Sequence, residues 1–167
     1  MILQKMLPKI IRPISTILPI STILPIILEN EKKFDYKMNF DGCSKGNPGL
    51  CGAGAVIYYK NDEIWSDSFF VGENATNNRA EYAGLIIGLQ QAVELNIKNL
   101  YVEGDSLLVI NQMKGTYQCN SPNLIALYQR AKELEANFDS IYYQHVLRHL
   151  NKRADHLSNV AIMNYKP

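Results

Sequence analysis

Four carboxylates stand where the pattern of this chain changes: Asp41, Glu81, Asp105 and Asp155. Asp41 opens the run Asp41-Gly42-Cys43-Ser44-Lys45-Gly46-Asn47-Pro48-Gly49, which is rich in turn-forming residues. Taken singly, each acid has an ordinary structural reading. Asp before Gly is turn chemistry, Glu81 falls in the first turn of a predicted helix, where the macrodipole favours an acid, and Asp155 lies near a helix start. Taken together in one half-buried cleft, four acids repel one another and need compensation. Divalent cations supply it, and an all-oxygen donor set suits Mg²⁺ or Mn²⁺ rather than zinc. Two such ions, roughly 4 Å apart, can activate a water and stabilise a leaving oxygen in phosphodiester hydrolysis. The three cysteines, Cys43, Cys51 and Cys119, form no CxxC pair and are odd in number. That argues against a zinc site or a disulfide framework and fits a reducing compartment.

The elements that must position these acids follow from periodicity. Tyr36, Met38 and Phe40 alternate with Lys37 and Asn39, which predicts a half-buried strand closed by Asp41. Val56–Tyr59 after a Gly/Ala run, and Glu63–Val71, complete an antiparallel meander, with 72–78 as loop. Tyr82, Leu85, Ile86, Leu89 and Val93 recur at helical spacing, so 78–95 is an amphipathic helix. A strand over 99–103 ends at Gly104-Asp105. Ser106 caps a helix over 107–113, and Ser121-Pro122 starts another over 122–136. A fifth strand, 140–146, precedes a final helix from Asn151 or Lys152 with Ala154, Leu157, Val160 and Ala161 facing inward. The order βββ-α-β-α-α-β-α predicts an α/β fold: a five-stranded mixed sheet, three antiparallel strands then parallel crossovers, flanked by helices. Crossovers of this kind put ligand sites at the carboxyl ends of the parallel strands, where the four acids fall.

With 167 residues, 47% of them hydrophobic and 20% charged, the chain suffices for one domain with a real core. Residues 1–34 read as a separate low-complexity tail: Ile14-Ser15-Thr16-Ile17-Leu18-Pro19 repeats at once as Ile20-Ser21-Thr22-Ile23-Leu24-Pro25. Prolines at positions 8, 13, 19 and 25 forbid a continuous helix. They argue against a mitochondrial presequence, although the segment is basic, and no apolar run reaches the length of a membrane span. A cytoplasmic, monomeric protein is expected, with residues 35–167 as its folded domain. The tail holds five basic and two acidic side chains and the remainder twelve and fourteen, so the folded part is net −2. Nucleic acid would be held by local contacts and bound cations rather than by bulk charge.

Four blocks now fall into register: Asp41-Gly42-Cys43-Ser44-Lys45-Gly46-Asn47-Pro48-Gly49, Thr76-Asn77-Asn78-Arg79-Ala80-Glu81, Gly104-Asp105-Ser106 and Asn151-Lys152-Arg153-Ala154-Asp155. Each carries its acid, and together the chain resembles type 1 ribonuclease H over about 35–164. The resemblance implies a ribonuclease H-like fold and an endonuclease that cuts the RNA strand of RNA–DNA hybrids, leaving 5′-phosphate and 3′-hydroxyl ends. It implies that Asp41 bridges two ions, Glu81 and Asp105 hold the nucleophile-side ion with Glu81 near the 2′-hydroxyl, and Asp155 completes the leaving-group side. Asn47, Asn77 and Gln112 match positions that contact the hybrid, and Gly42 lets a sugar–phosphate backbone approach Asp41. Thr76 and Asn77 suit a DNA phosphate, which small polar groups fix without reading bases. Arg79 either joins them or solvates its helix.

Two departures mark the branch. The connection Val146-Leu147-Arg148-His149-Leu150-Asn151 is short and resembles members with an arginine before the last helix, so Arg148 is the expected fifth catalytic residue and His149 its rival. The basic handle between the middle helices is missing: residues 114–121 offer Lys114 alone. The alternative function is a non-catalytic ribonuclease H-like nucleic-acid-binding module, which loss of any acid would favour. Integrase-type relatives fit the block around Glu81 poorly.

Overall fold

The computed structural model describes residues 34–166, together with Pro19 and Pro25. The expected tail therefore lies almost wholly outside the described residues. Five strands form one sheet: β1 (Tyr36–Gly46), β2 (Gly49–Tyr59), β3 (Asp62–Ala75), β4 (Asn99–Gly104) and β5 (Ser140–His145), in the order β3-β2-β1-β4-β5. β1–β2 and β2–β3 are antiparallel, while β1–β4 and β4–β5 are parallel. Four helices complete it among the described residues: α1 (Asn77–Glu94), α2 (Leu107–Met113), α3 (Pro122–Glu135) and α4 (Lys152–Met163). None of them is long and apolar enough to cross a membrane. Lys33–Pro167 is one compact unit.

The strands sit between two helical layers. Met38 and Phe40 of β1 enter the main core with Tyr82, Leu85 and Leu89 of α1 and Leu124 and Ala131 of α3. The other side of β1 is polar yet also buried, because α4 lies over it. Asn39 and Asp41 are only 6% and 3% exposed. The alternation in this strand therefore separates two buried faces instead of a buried and a solvated one. On the covered polar face each group is paired, as burial requires. Asn39 donates to Glu103 Oε2 at 3.0 Å and to Asn151 Oδ1 at 3.3 Å.

The first strand differs from the expectation in one respect that matters for the site. It does not close at Asp41. Its parallel ladder with β4 ends at Phe40 opposite Gly104, while its antiparallel ladder with β2 continues to Gly46 opposite Gly49. Asp41 is thus central in β1 but one residue beyond the last pairing with β4. β2 likewise includes the Gly/Ala run, and β3 runs on to Ala75 through register shifts, where a loop was expected. The small residues have a packing cause. A Cβ on Gly42 would lie 2.1 Å from Glu81 N, and one on Gly54 would lie 2.6 Å from Ser158 N. Only glycine lets α1 and α4 approach the strands this closely.

Candidate active site

Asp41, Glu81 and Asp105 converge past the carboxyl end of the β1–β4 ladder, each offering one carboxylate oxygen within 4.8 Å of the others. Asp105 follows β4 directly, and the crossover from β1 to β4 passes through α1, which carries Glu81. Glu81 is the fifth residue of α1, so it lies beyond the first turn where it was expected. Its carboxylate does not cap the helix. Instead Gly42 N donates to Oε2 at 3.1 Å and Asn77 Nδ2 donates to Oε1 at 3.4 Å. Close approach at Gly42 is what brings that amide within reach.

Asp105 is fixed from two sides. Asn151, 1% exposed, donates through Nδ2 to Asp105 Oδ1 at 3.0 Å and to Phe40 O at 2.8 Å. His145 Nε2, at the end of β5, lies 3.2 Å from Asp105 O. Asp41 Oδ2 accepts from Ser158 Oγ of α4 at 2.5 Å.

Burial and mutual repulsion disturb the two inner acids. Desolvation raises the Asp41 pKa to about 7, opposed by the Ser158 hydroxyl and assisted by the charges of Asp105 and Asp155. Glu81, 5% exposed, is pushed well above the carboxylate range by burial and then by Asp41 and Asp105, against the pull of Gly42 and Asn77. Three acids crowded into this volume, all with oxygen donors, fit a hard divalent cation. Asp41, Glu81 and Asp105 are the residues that could hold it. They line a polar cleft of about 350 Å³ with Gly42, Asn77, Ser106 and Arg148.

The fourth acid is placed differently. Asp155, in the first turn of α4, is not part of the three-acid group. Arg148 donates to its Oδ1 through Nε at 3.0 Å and Nη2 at 2.5 Å. Arg148 sits on a 3-10 turn, Arg148–Leu150, and reaches the cleft, whereas His149 beside it is exposed and does not line it.

The expected substrate contacts divide. Asn47 and Asn77 are joined, with Asn77 N donating to Asn47 Oδ1 at 3.1 Å, so the β1–β2 turn is tied to the start of α1. Thr76 is the N-cap of α1, its Oγ1 accepting from Arg79 N at 3.4 Å. The Arg79 side chain is exposed. Gln112 is not brought to the cleft. It is 3% exposed, its Oε1 accepts from Tyr82 OH at 2.6 Å, and its Nε2 donates to Gln118 O at 3.3 Å. The inward face of the short helix α2 carries it into the core, where both ends of the amide are occupied.

Sequence reasoning missed Ser158 and left Asn151 as a helix start. It also placed Val160 among the inward residues of α4, where Ser158 is buried and Val160 only half-buried. A signal was present. Ser158 stands one turn after Asp155 and interrupts the apolar stripe of Ala154, Leu157 and Ala161. A hydroxyl on a buried stripe needs a partner.

Comparison with known proteins bears on the family and the fold. A family described as reverse transcriptase-like matches residues 39–161. A bifunctional protein of Mycobacterium tuberculosis is 42% identical over 123 residues, covering 73% of this chain and 34% of its own length. Ribonuclease HI of Halobacterium salinarum is 39% identical over 123 residues, covering 74% of this chain and 62% of its own length. The chain thus spans less than two thirds of either relative. Among solved structures, LC11-RNase H1 in complex with an RNA/DNA hybrid superposes with a TM-score of 0.72 at 31% identity, covering 77% of this chain and 96% of that one.

Proposed function

Because the chain belongs to the ribonuclease H-like family, we propose that it is an endonuclease that hydrolyses the RNA strand of RNA–DNA hybrids. The observation that carries this reading is the buried group of Asp41, Glu81 and Asp105 at the end of the β1–β4 ladder. Such a group is costly without a cation and productive with one. All four expected acids are present, so nothing favours a binding module that has lost its chemistry.

Asp41, Glu81 and Asp105 would hold one Mg²⁺ or Mn²⁺, and Asp41 with Asp155 would hold a second. Bound there, divalent cations supply Lewis-acid polarisation of the scissile phosphate and lower the pKa of an attacking water. The protein's own groups do the rest. Gly42 N–H and the Asn77 amide hold both oxygens of Glu81, so that this carboxylate keeps one orientation as substrate enters. Asn151 does the same for Asp105. The Arg148 guanidinium, at the mouth of the cleft, supplies a positive charge to offset the negative charge that develops on the leaving oxygen. Asn47 and Asn77 form a tied polar rim that suits sugar–phosphate contacts. Discrimination of RNA from DNA then rests on the 2′-hydroxyl, the local feature separating the strands.

The test uses a labelled RNA–DNA hybrid with Mg²⁺ or Mn²⁺, against duplex DNA and duplex RNA. Cleavage of the RNA strand of the hybrid alone, lost in EDTA and reduced at least about a hundredfold in Asp105→Asn, is the expected result. Persistence of cleavage in EDTA would overturn the mechanism.

A further inference from the structure

We propose that Ser158 is a positioning residue: its hydroxyl locks the Asp41 carboxylate against α4 and so sets the spacing between the acid of β1 and the acid at the start of α4. The inference rests on the reading of the acids as a cation site.

Ser158 is 0% exposed, and its Oγ lies 2.5 Å from Asp41 Oδ2 and 2.9 Å from Asp155 O. A hydroxyl has one proton to donate, and among the Asp155 carbonyl, the Cys43 thiol and the Asp41 carboxylate the strongest acceptor is the carboxylate, ionised as it must be to hold a cation. The Asp155 carbonyl is supported separately, by Asn159 Nδ2 at 2.8 Å. Ser158 is therefore free to give its proton to Asp41. The last torsion of an aspartate is broad, so a carboxylate without such a partner samples many orientations. A single buried donor narrows that range.

The anchor is itself rigid. A Cβ on Gly52 would stand 2.2 Å from Ser158 O, and one on Gly54 would stand 2.6 Å from Ser158 N. The backbone of Ser158 is thus pressed onto β2, the strand paired with β1 at Asp41 opposite Gly54. The hydroxyl converts this contact between helix and sheet into a fixed orientation of one carboxylate. Asp155, three residues earlier on the same helix, is carried by the same contact.

The experiment measures Mn²⁺ binding to the full chain by calorimetry without nucleic acid, and kcat and KM on a hybrid, for wild type and Ser158→Ala. Alanine removes one oxygen and favours helix, so the fold is retained, and urea unfolding monitors it. The expected result is Mn²⁺ affinity about tenfold weaker, kcat lowered and KM for the hybrid unchanged, as for loss of an outer-shell partner. A Mn²⁺ affinity within about twofold of wild type would overturn the assignment, since a locking donor cannot be removed without effect. Failure of wild type itself to bind Mn²⁺ would instead refute the cation site, and the role of Ser158 with it.

Discussion

Asp41 concentrates the physics of the site in one side chain. Burial lifts its pKa from 3.8 to about 7. In the cation-free protein the native state therefore keeps a proton between those values that the unfolded chain has released. Native protein binds more protons than unfolded across that window, so stability falls as pH rises through it. Glu81, raised by burial and the same neighbours, adds to the slope in the same direction. The urea midpoint of cation-free protein should accordingly be higher at pH 5 than at pH 8. Asp41→Asn should flatten much of that slope and exceed wild type at pH 8 by on the order of a few kcal/mol. Added Mg²⁺ should raise the wild-type midpoint at pH 8 and leave the variant unmoved. Equal slopes for the two proteins would show that Asp41 is not held protonated by its surroundings.

At the scale of elements, the decisive piece is the connection from β5 into α4. Its 3-10 turn presents Arg148 to Asp155, the N-cap of α4 delivers Asn151 to Asp105, and α4 itself brings Ser158 to Asp41. The Arg148–Asp155 pair has side chains 72% and 29% exposed, so it contributes little to stability. Its value lies in holding a guanidinium at the cleft. Arg148→Ala should therefore change the free energy of unfolding by less than about 1 kcal/mol. Hybrid cleavage should nevertheless fall about a hundredfold, as when a charge-stabilising donor is removed. His149→Ala, exposed on the same turn, should retain activity within about twofold. A larger loss for His149 than for Arg148, measured under single-turnover conditions, would reverse the two roles.

For the whole molecule, every group named in the site belongs to Lys33–Pro167, which has its own core of Met38, Phe40, Tyr82, Leu85 and Leu89. Its twelve basic and fourteen acidic side chains beyond residue 34 give no field that would gather nucleic acid from a distance. Binding should depend on a few phosphate contacts and on the cations. A chain beginning at Lys33 should fold cooperatively and keep kcat within about twofold, because a domain with its own core folds alone. A truncated protein that folds but has lost cleavage would show that the repeat segment takes part in the chemistry.

Much of this was legible along the chain. Alternation, helical spacing and caps are local, so the order of elements follows from them, down to Ser106 before Leu107–Met113 and Ser121 before Pro122. The placing of four acids at junctions of that order was legible for the same reason. What packing decided is which atoms meet. The register of β1 against β2 put Asp41 inside a strand, and the inward face of α2 withdrew Gln112 from the surface. The turn before α4 gave Asp155 a guanidinium partner. Ser158 reaches Asp41 across 117 positions of sequence. No local pattern encodes such a contact, because it exists only when a helix and a sheet that fold from distant segments are pressed together at glycines.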